Sequence, residues 1–240
     1  MQHYWLERTE LLTGFDRLEK LKSSNVLVVG LGGVGAAAAE MIARTGVGKM
    51  TIVDGDVVDI TNINRQLPAL HSKVGEKKAF LVADKLKDIN PDITLNVIDE
   101  YIDAESMHAL VEPHYDYVVD AIDTLSPKVE LLRHSYQIGH KLVCSLGAGG
   151  KFDPLKIRVT DIKKSYNCPL GRYIRKSLHK YGIYKGFKVV FSPEKVFENS
   201  VREERGRNKR STIGTISYMP SLFGSVCASV VIRDILELPE

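Results

Sequence analysis

Asn25-Val26-Leu27-Val28-Val29-Gly30-Leu31-Gly32-Gly33-Val34-Gly35 decides the fold. A short apolar run of strand length enters a glycine cluster with the spacing GxGxxG. The first glycine permits a tight turn, the second lets a phosphate approach the backbone, and the last lets a helix pack closely on the strand. Free amides at the start of that helix then hold the anion. Residues 36–44, rich in alanine, read as the helix, stopped by Gly46 and Gly48. Residues 49–53 read as a second strand ending at Asp54. This is a βαβ unit of nucleotide-binding length. Asp54, 19 residues after Gly35, stands where an acid accepts hydrogen bonds from ribose hydroxyls.

The alternation continues outward. Residues 6–21 read as helical with a break at Gly14. Residues 74–89, 106–111 and 127–139 read as helices. Residues 94–98, 115–119 and 142–145 read as strands, the last entering Gly147-Ala148-Gly149-Gly150. This order predicts a Rossmann-like, doubly wound α/β fold with a mostly parallel sheet covered on both faces. After Lys151 the character changes to a basic carboxyl-terminal extension. Strands at 157–161 and 187–191 flank a basic helix at 170–179, and the polar stretch 198–211 reads as a mobile loop. Residues 213–232 are uncharged and long enough for a membrane span, but Gly214, Pro220 and Gly224 interrupt them. A buried strand, a turn at Met219-Pro220 and a core helix ending near Arg233 are expected instead. The expected organisation is one domain over 1–240, with amino-terminal helices (1–24), a nucleotide-binding core (25–150) and a basic part completing it (151–240).

Hydrophobic residues make up 44% and charged residues 26%, which suits a packed core. The start, Met1 to Arg8, has no apolar run behind a basic one, so no signal peptide is expected. Cys144, Cys168 and Cys227 form no CxxC pair, which argues against structural zinc and a disulfide framework and fits a reducing cytoplasm. The net charge of +3 hides an asymmetry: residues 151–210 hold 17 Lys and Arg against 6 Asp and Glu. That division suggests a basic surface for a polyanion beside an acidic body; a solvated, mobile basic loop explains the charge equally well.

The residues beyond Asp54 favour ATP over a dinucleotide. Asp56, Asn62, Arg65 and Gln66 lie just past the second strand, and Lys78 comes after them. A triphosphate under attack needs positive charge, because negative charge builds on the leaving pyrophosphate; Arg65 and Lys78 carry it. Asp123, beyond a strand expected to face the glycine turn, is placed to hold Mg²⁺. The nucleotide set is thus Gly30, Gly32, Gly33, Gly35, Asp54, Asp56, Asn62, Arg65, Gln66, Lys78 and Asp123. Simpler roles exist for the charged members: solvated surface for Arg65 and Lys78, a helix cap for Asp123.

Glycine turn, Asp54, Asn62-x-x-Arg65-Gln66, Lys78 and Asp120-x-x-Asp123 together resemble the ubiquitin-activating-enzyme-like adenylation family of ThiF, MoeB and HesA proteins. Arg8-Thr9-Glu10-Leu11-Leu12-x-Gly14-Phe15-Asp16 is similar to that family's first helix. The resemblance implies a homodimer in which Arg8 reaches the other subunit's ATP phosphates. Gly147-Ala148-Gly149-Gly150-x-x-Asp153-Pro154 and Asp120-Ala121-Ile122-Asp123-x-x-x-Pro127-Lys128 resemble the tRNA threonylcarbamoyladenosine dehydratase branch. The two CxxC zinc pairs usual in MoeB-like members are absent from the sequence. Cys144 reads as core; Cys168, in Asn167-Cys168-Pro169, reads as more exposed and as a weak nucleophile candidate.

The resemblance implies ATP- and Mg²⁺-dependent adenylation of the threonyl carboxylate of a threonylcarbamoyl-adenosine beside the tRNA anticodon, then ring closure with net loss of water. Arg8, Arg65, Lys78 and Asp123 would be the catalytic set. It also implies a monovalent cation, K⁺ or Na⁺, and a cysteine-desulfurase or sulfur-acceptor partner. Two other readings stay open: adenylation of a ubiquitin-like sulfur-carrier protein's C-terminal glycine, and a non-catalytic NAD-binding sensor or scaffold.

Overall fold

A computed structural model describes residues 4–203 and 211–239 of the 240-residue chain. Two helices open it, α1 (Glu7–Thr13) and α2 (Phe15–Ser23), parted by Gly14 at φ +83°. The first βαβ unit is β1 (Asn25–Val29), α3 (Gly35–Ala43) and β2 (Lys49–Val53). Next in the chain are α4 (Lys78–Ile89), β3 (Thr94–Ile98), α5 (Ala104–Val111), β4 (Tyr117–Asp120), α6 (Leu125–Ile138) and β5 (Leu142–Ser145). Then come β6 (Arg158–Asp161), α7 (Pro169–His179), β7 (Lys188–Phe191), β8 (Val201–Glu203), β9 (Ser211–Ile213) and α8 (Tyr218–Ile235).

Seven strands form one sheet in the order β3-β2-β1-β4-β5-β7-β6. Only β6, at one edge, runs antiparallel to its neighbour. Alternate side chains of β1 feed two cores. Val26 and Val28 pack with α3, α4 and α8; Leu27 and Val29 pack with α5, α6 and α7. Covering on both faces explains why the strand is apolar throughout rather than alternating. The small side chains of α3 have the same cause. It packs on the sheet with α8 close beside it, and a Cβ on Gly224 of α8 would stand 2.3 Å from Val34 O.

Strand order reverses between β1 and β4, which makes the crevice at their carboxyl ends the place where such a sheet binds ligands. The register puts Val29 beside both Val53 and Asp120, so three chain segments leave the sheet together there.

Several expectations need correction. The helix expected at 74–89 begins at Lys78. Gly75 N donates to Val58 O and Val58 N to Glu76 O, so these backbone groups already serve a neighbouring segment. The stretch 198–211 is not all loop: β8 and β9 pair as an antiparallel hairpin, while residues 204–210 lie outside the described residues. Ile213 ends that exposed hairpin rather than a buried strand. Met219-Pro220 is no turn. Pro220 sits in the first turn of α8, where a helix has no partner for its N–H. No helix among the described residues is long and apolar enough to cross a membrane.

Candidate nucleotide and acceptor site

The glycine turn is held by the protein's own crowding at three of its four glycines. Gly30 has φ +88°, and a Cβ there would lie 2.8 Å from Ala121 O. At Gly33 a Cβ would meet Arg65 O at 2.7 Å, and at Gly35 it would meet Gly30 O at 1.7 Å. Gly32 differs. Its nearest neighbour, Gln66 Nε2, would stand 3.6 Å away, an ordinary contact. The fold leaves room above Gly32, where a phosphate would approach the backbone. Gly32→Ala is therefore expected to leave the melting temperature nearly unchanged while abolishing tight ATP binding. Gly35→Ala is expected to disrupt the turn itself. Thermal melts with calorimetric ATP titration separate the two; equal melting losses would contradict this division.

Asp54 braces the turn. Its Oδ2 accepts from Leu31 N at 2.6 Å and its Oδ1 from Asp56 N at 2.8 Å. Burial holds this carboxyl above its ordinary range, against the lowering effect of those two bonds. Each oxygen has one further lone pair for a ribose hydroxyl. Lys78 is buried, and its Nζ pairs with Asp56 Oδ2 at 2.9 Å. The Tyr101 hydroxyl donates to Asp56 Oδ1, and that bond, with burial, pushes the phenol up to about 12.

A single 3₁₀ turn, Ile60–Asn62, delivers the next residues. Asp59 and Asn62 cap it reciprocally, which buries Asn62 and consumes its Oδ1 on Asp59 N. Arg65 Nη1 donates to Thr61 O at 2.7 Å and to Asn64 Oδ1 at 3.0 Å. Gln66 lies buried beside Gly32, and its Oε1 has no hydrogen-bond partner among the described residues. An orphaned buried acceptor costs free energy unless a ligand donor meets it, so the pocket is suited to a hydroxyl- or amino-bearing nucleotide.

β4 delivers two carboxylates with different environments. Asp120 is fully buried and pairs with the fully buried Lys128 Nζ at 2.9 Å. Burial raises the Asp120 carboxyl, with Lys128 offsetting part of the effect. Burial alone would lower the Lys128 ammonium, but attraction to Asp120 outweighs it and holds the cation above its ordinary value. Lys128 also donates to Ile122 O and Asp120 accepts from Ile122 N, so the pair fixes the loop that carries Asp123. Asp123 itself is exposed. Among the described residues no three His, Cys, Asp or Glu side chains cluster as a metal cage. One exposed carboxylate suits Mg²⁺, which is commonly held by one or two carboxylates and substrate phosphates.

Most of the expected residues thus converge on the β1/β4 crevice. Arg8 does not. Leu6 seats against Gly46, beyond the carboxyl end of α3, whereas the glycine turn lies at the amino end of that helix. Arg8 is exposed on α1, away from its own subunit's turn. Cys168 also differs from expectation: it is buried, and its Sγ caps α7 by accepting from Gly171 N at 3.4 Å. Cys144 is core as expected, its thiol pushed well up by burial. Sequence alone assigns no separate role to Lys128, Tyr101 or Asn64. Lys128 left a signal in its fixed distance from Asp120, and Asn64 in its place among the amides of Asn62-Ile63-Asn64-Arg65-Gln66.

Over residues 6–240 the chain matches the ThiF family. The tRNA threonylcarbamoyladenosine dehydratase of Bacillus subtilis is 38% identical to it over 238 residues, covering 96% of this chain and 94% of that protein. The chain belongs to the ThiF family, in its tRNA threonylcarbamoyladenosine dehydratase branch. Solved structures agree with this placing. The Escherichia coli tRNA N6-threonylcarbamoyladenosine dehydratase, TcdA, in complex with ATP matches with a TM-score of 0.89 at 32% identity, over 97% of this chain and 94% of that one. The same enzyme in complex with AMP matches with a TM-score of 0.88 over the same shares at the same identity.

Proposed function

We propose that this chain uses ATP to adenylate the threonyl carboxylate of N6-threonylcarbamoyladenosine in tRNA and closes that group into a ring, with net loss of one water. The observation that carries this reading is the convergence of an open Gly32, the orphaned Gln66 acceptor, Arg65, Lys78 and Asp123 on one crevice. A carboxylate oxygen bonds to the α-phosphorus as the bond to the bridging oxygen breaks, and pyrophosphate leaves with that electron pair. Arg65 and Lys78 offset the charge gathering on it, and Arg8 of a second subunit adds to them. The carbamoyl nitrogen then bonds to the acyl carbon, AMP departs with the acyl oxygen's electrons, and the nitrogen's proton passes to solvent. The protein needs no nucleophile of its own, in keeping with three buried thiols.

Asp123 would hold Mg²⁺, which when bound would neutralise charge on the phosphates. The monovalent cation and the sulfur-acceptor partner rest on resemblance alone. A homodimer is supported by Leu11, Leu12 and Phe15, which are 81%, 86% and 64% exposed close to Arg8. Residues 25–150 supply the nucleotide site in this reading, and the part from 151 onward faces the acceptor. The cytoplasm is the compartment it implies.

The RNA contact is supported by α7 and its flanks. Residues 162–193 contain eight Lys and Arg and no Asp or Glu. The apolar face of α7 is buried through Ile174 and Leu178, which turns Arg172, Tyr173, Lys176 and Lys180 outward. Tyr166, Tyr173, Tyr181 and Tyr184 are about half exposed among these cations. Cations hold phosphates and tyrosines stack on unpaired bases. Arg172→Ala/Lys176→Ala/Lys180→Ala should weaken tRNA binding and flatten its salt dependence by roughly one unit of slope per lost phosphate contact, with ATP affinity unchanged. Filter binding across a salt series checks this; an unchanged slope would remove α7 from the interface.

ATP–pyrophosphate exchange tests the reaction class. Exchange that depends on threonylcarbamoylated tRNA supports the proposal. Exchange driven instead by the C-terminal glycine of a carrier protein would transfer the chain to the carrier-activating branch.

A further inference from the structure

Residues 214–217 form a short strap that leaves β9 and enters α8. On one side Gly214 O accepts from Gly150 N at 2.8 Å, and the Tyr218 hydroxyl donates to Phe152 O at 2.8 Å, so the strap is fastened to the glycine-rich segment after β5. Gly149 is pressed close, since a Cβ there would lie 3.0 Å from Ile213 Cγ2 and 3.1 Å from Thr215 Oγ1. On the other side Thr215 O accepts from Asn64 Nδ2 at 3.0 Å. Asn64 belongs to the segment after β2, and in the sheet β1 and β4 lie between β2 and β5. That segment itself reaches the glycine turn after β1, where a Cβ on Gly33 would lie 2.7 Å from Arg65 O, so the strap joins the segment after β5 to that turn.

Asn64 uses both ends of its carboxamide. Nδ2 holds the strap, while Oδ1 accepts from Arg65 Nη1 at 3.0 Å. That same Nη1 also donates to Thr61 O, in the backbone of its own turn. We propose that Asn64 is a positioning residue that ties the Arg65 guanidinium to the strap, so that the strap's seat on the Gly149-Gly150 turn sets where Arg65 points. This rests on the reading of Arg65 as a phosphate ligand. It gives the Gly-Ala-Gly-Gly segment a role in ATP chemistry, exerted through the strap.

The carboxamide allows a clean dissection. Asn64→Ala removes both bonds. Asn64→Asp keeps an acceptor for Arg65 and loses the donor to Thr215 O. Pyrophosphate release would be monitored with threonylcarbamoylated tRNA as acceptor, giving kcat and the KM for ATP, with melting curves as control. Both variants are expected to lose about tenfold in kcat, with KM changed by less than about twofold and no loss of melting temperature, as Asn64 is exposed. Adding Asn64→Ala to Arg65→Ala should cost nothing further, because the asparagine acts through the arginine. Native kcat in Asn64→Asp, or a double variant slower than Arg65→Ala, would overturn the inference while leaving the role of Arg65 intact. An Arg65→Ala variant as fast as the unsubstituted chain would instead overturn the reading on which it rests.

Discussion

Lys128→Ala is expected to destabilise the protein by about 3–5 kcal/mol, the usual consequence of stripping the partner from a fully buried charge. Lys128 and Asp120 are both completely buried, and no other cation is paired with that carboxylate among the described residues. For a chain of this length the melting temperature should fall by about 6–20 °C. The deficit has a definite pH dependence. Burial already raises the Asp120 carboxyl in the intact pair, and loss of Lys128 raises it further. A carboxyl whose folded-state pKa is raised contributes its full stability below the unfolded value and loses it as pH climbs through the folded value. The variant should thus come nearest to the unsubstituted chain in acid and fall behind it with rising pH. Denaturant unfolding on both sides of the carboxylate range measures this; a deficit that shrinks as pH rises would contradict the ion pair. Asp120→Asn/Lys128→Met should recover much of the loss, because no buried charge is then left alone.

Arg65→Ala is expected to lower kcat for pyrophosphate release by roughly 10²–10³, the range found when one preorganised charge-stabilising donor is removed. Folding should change by no more than about 0.5 kcal/mol, since the guanidinium is partly exposed and, among the described residues, bonds only Thr61 O and Asn64 Oδ1. A large kcat loss with little change in ATP affinity would place Arg65 on the leaving pyrophosphate. Equal losses in both would make it a binding residue only. Rapid-quench measurement of pyrophosphate release beside direct ATP titration separates the two.

The nucleotide half of the site was legible because its signals are local. Strand, glycine turn, helix and acid succeed one another within residues 25–54, and each constrains the next through backbone conformation. The strap was less legible because its contacts are remote. Asn64 and Thr215 are 151 residues apart and meet only once the sheet is assembled. Nothing in the neighbours of Arg8 reveals that it stands away from its own glycine turn; the packing of Leu6 against Gly46 does. The loop-like context of Cys168 suggests exposure, when its sulfur is in fact buried and caps the start of α7. The β8–β9 hairpin was hidden because its strands are three residues each and polar, too short for an alternating pattern to show. The start of α4 was blurred because residues 74–77 suit a helix but are engaged by the 56–58 segment.

Adenylation and ring closure would leave their mark on the nucleoside itself. Threonylcarbamoylated tRNA would be incubated with the protein, ATP and Mg²⁺, and its anticodon-loop nucleosides then measured by mass spectrometry. The proposed chemistry predicts conversion of threonylcarbamoyl-adenosine to a product lighter by one water, with one AMP and one pyrophosphate formed per product. An unchanged nucleoside mass, with ATP bound and the tRNA intact, would contradict it.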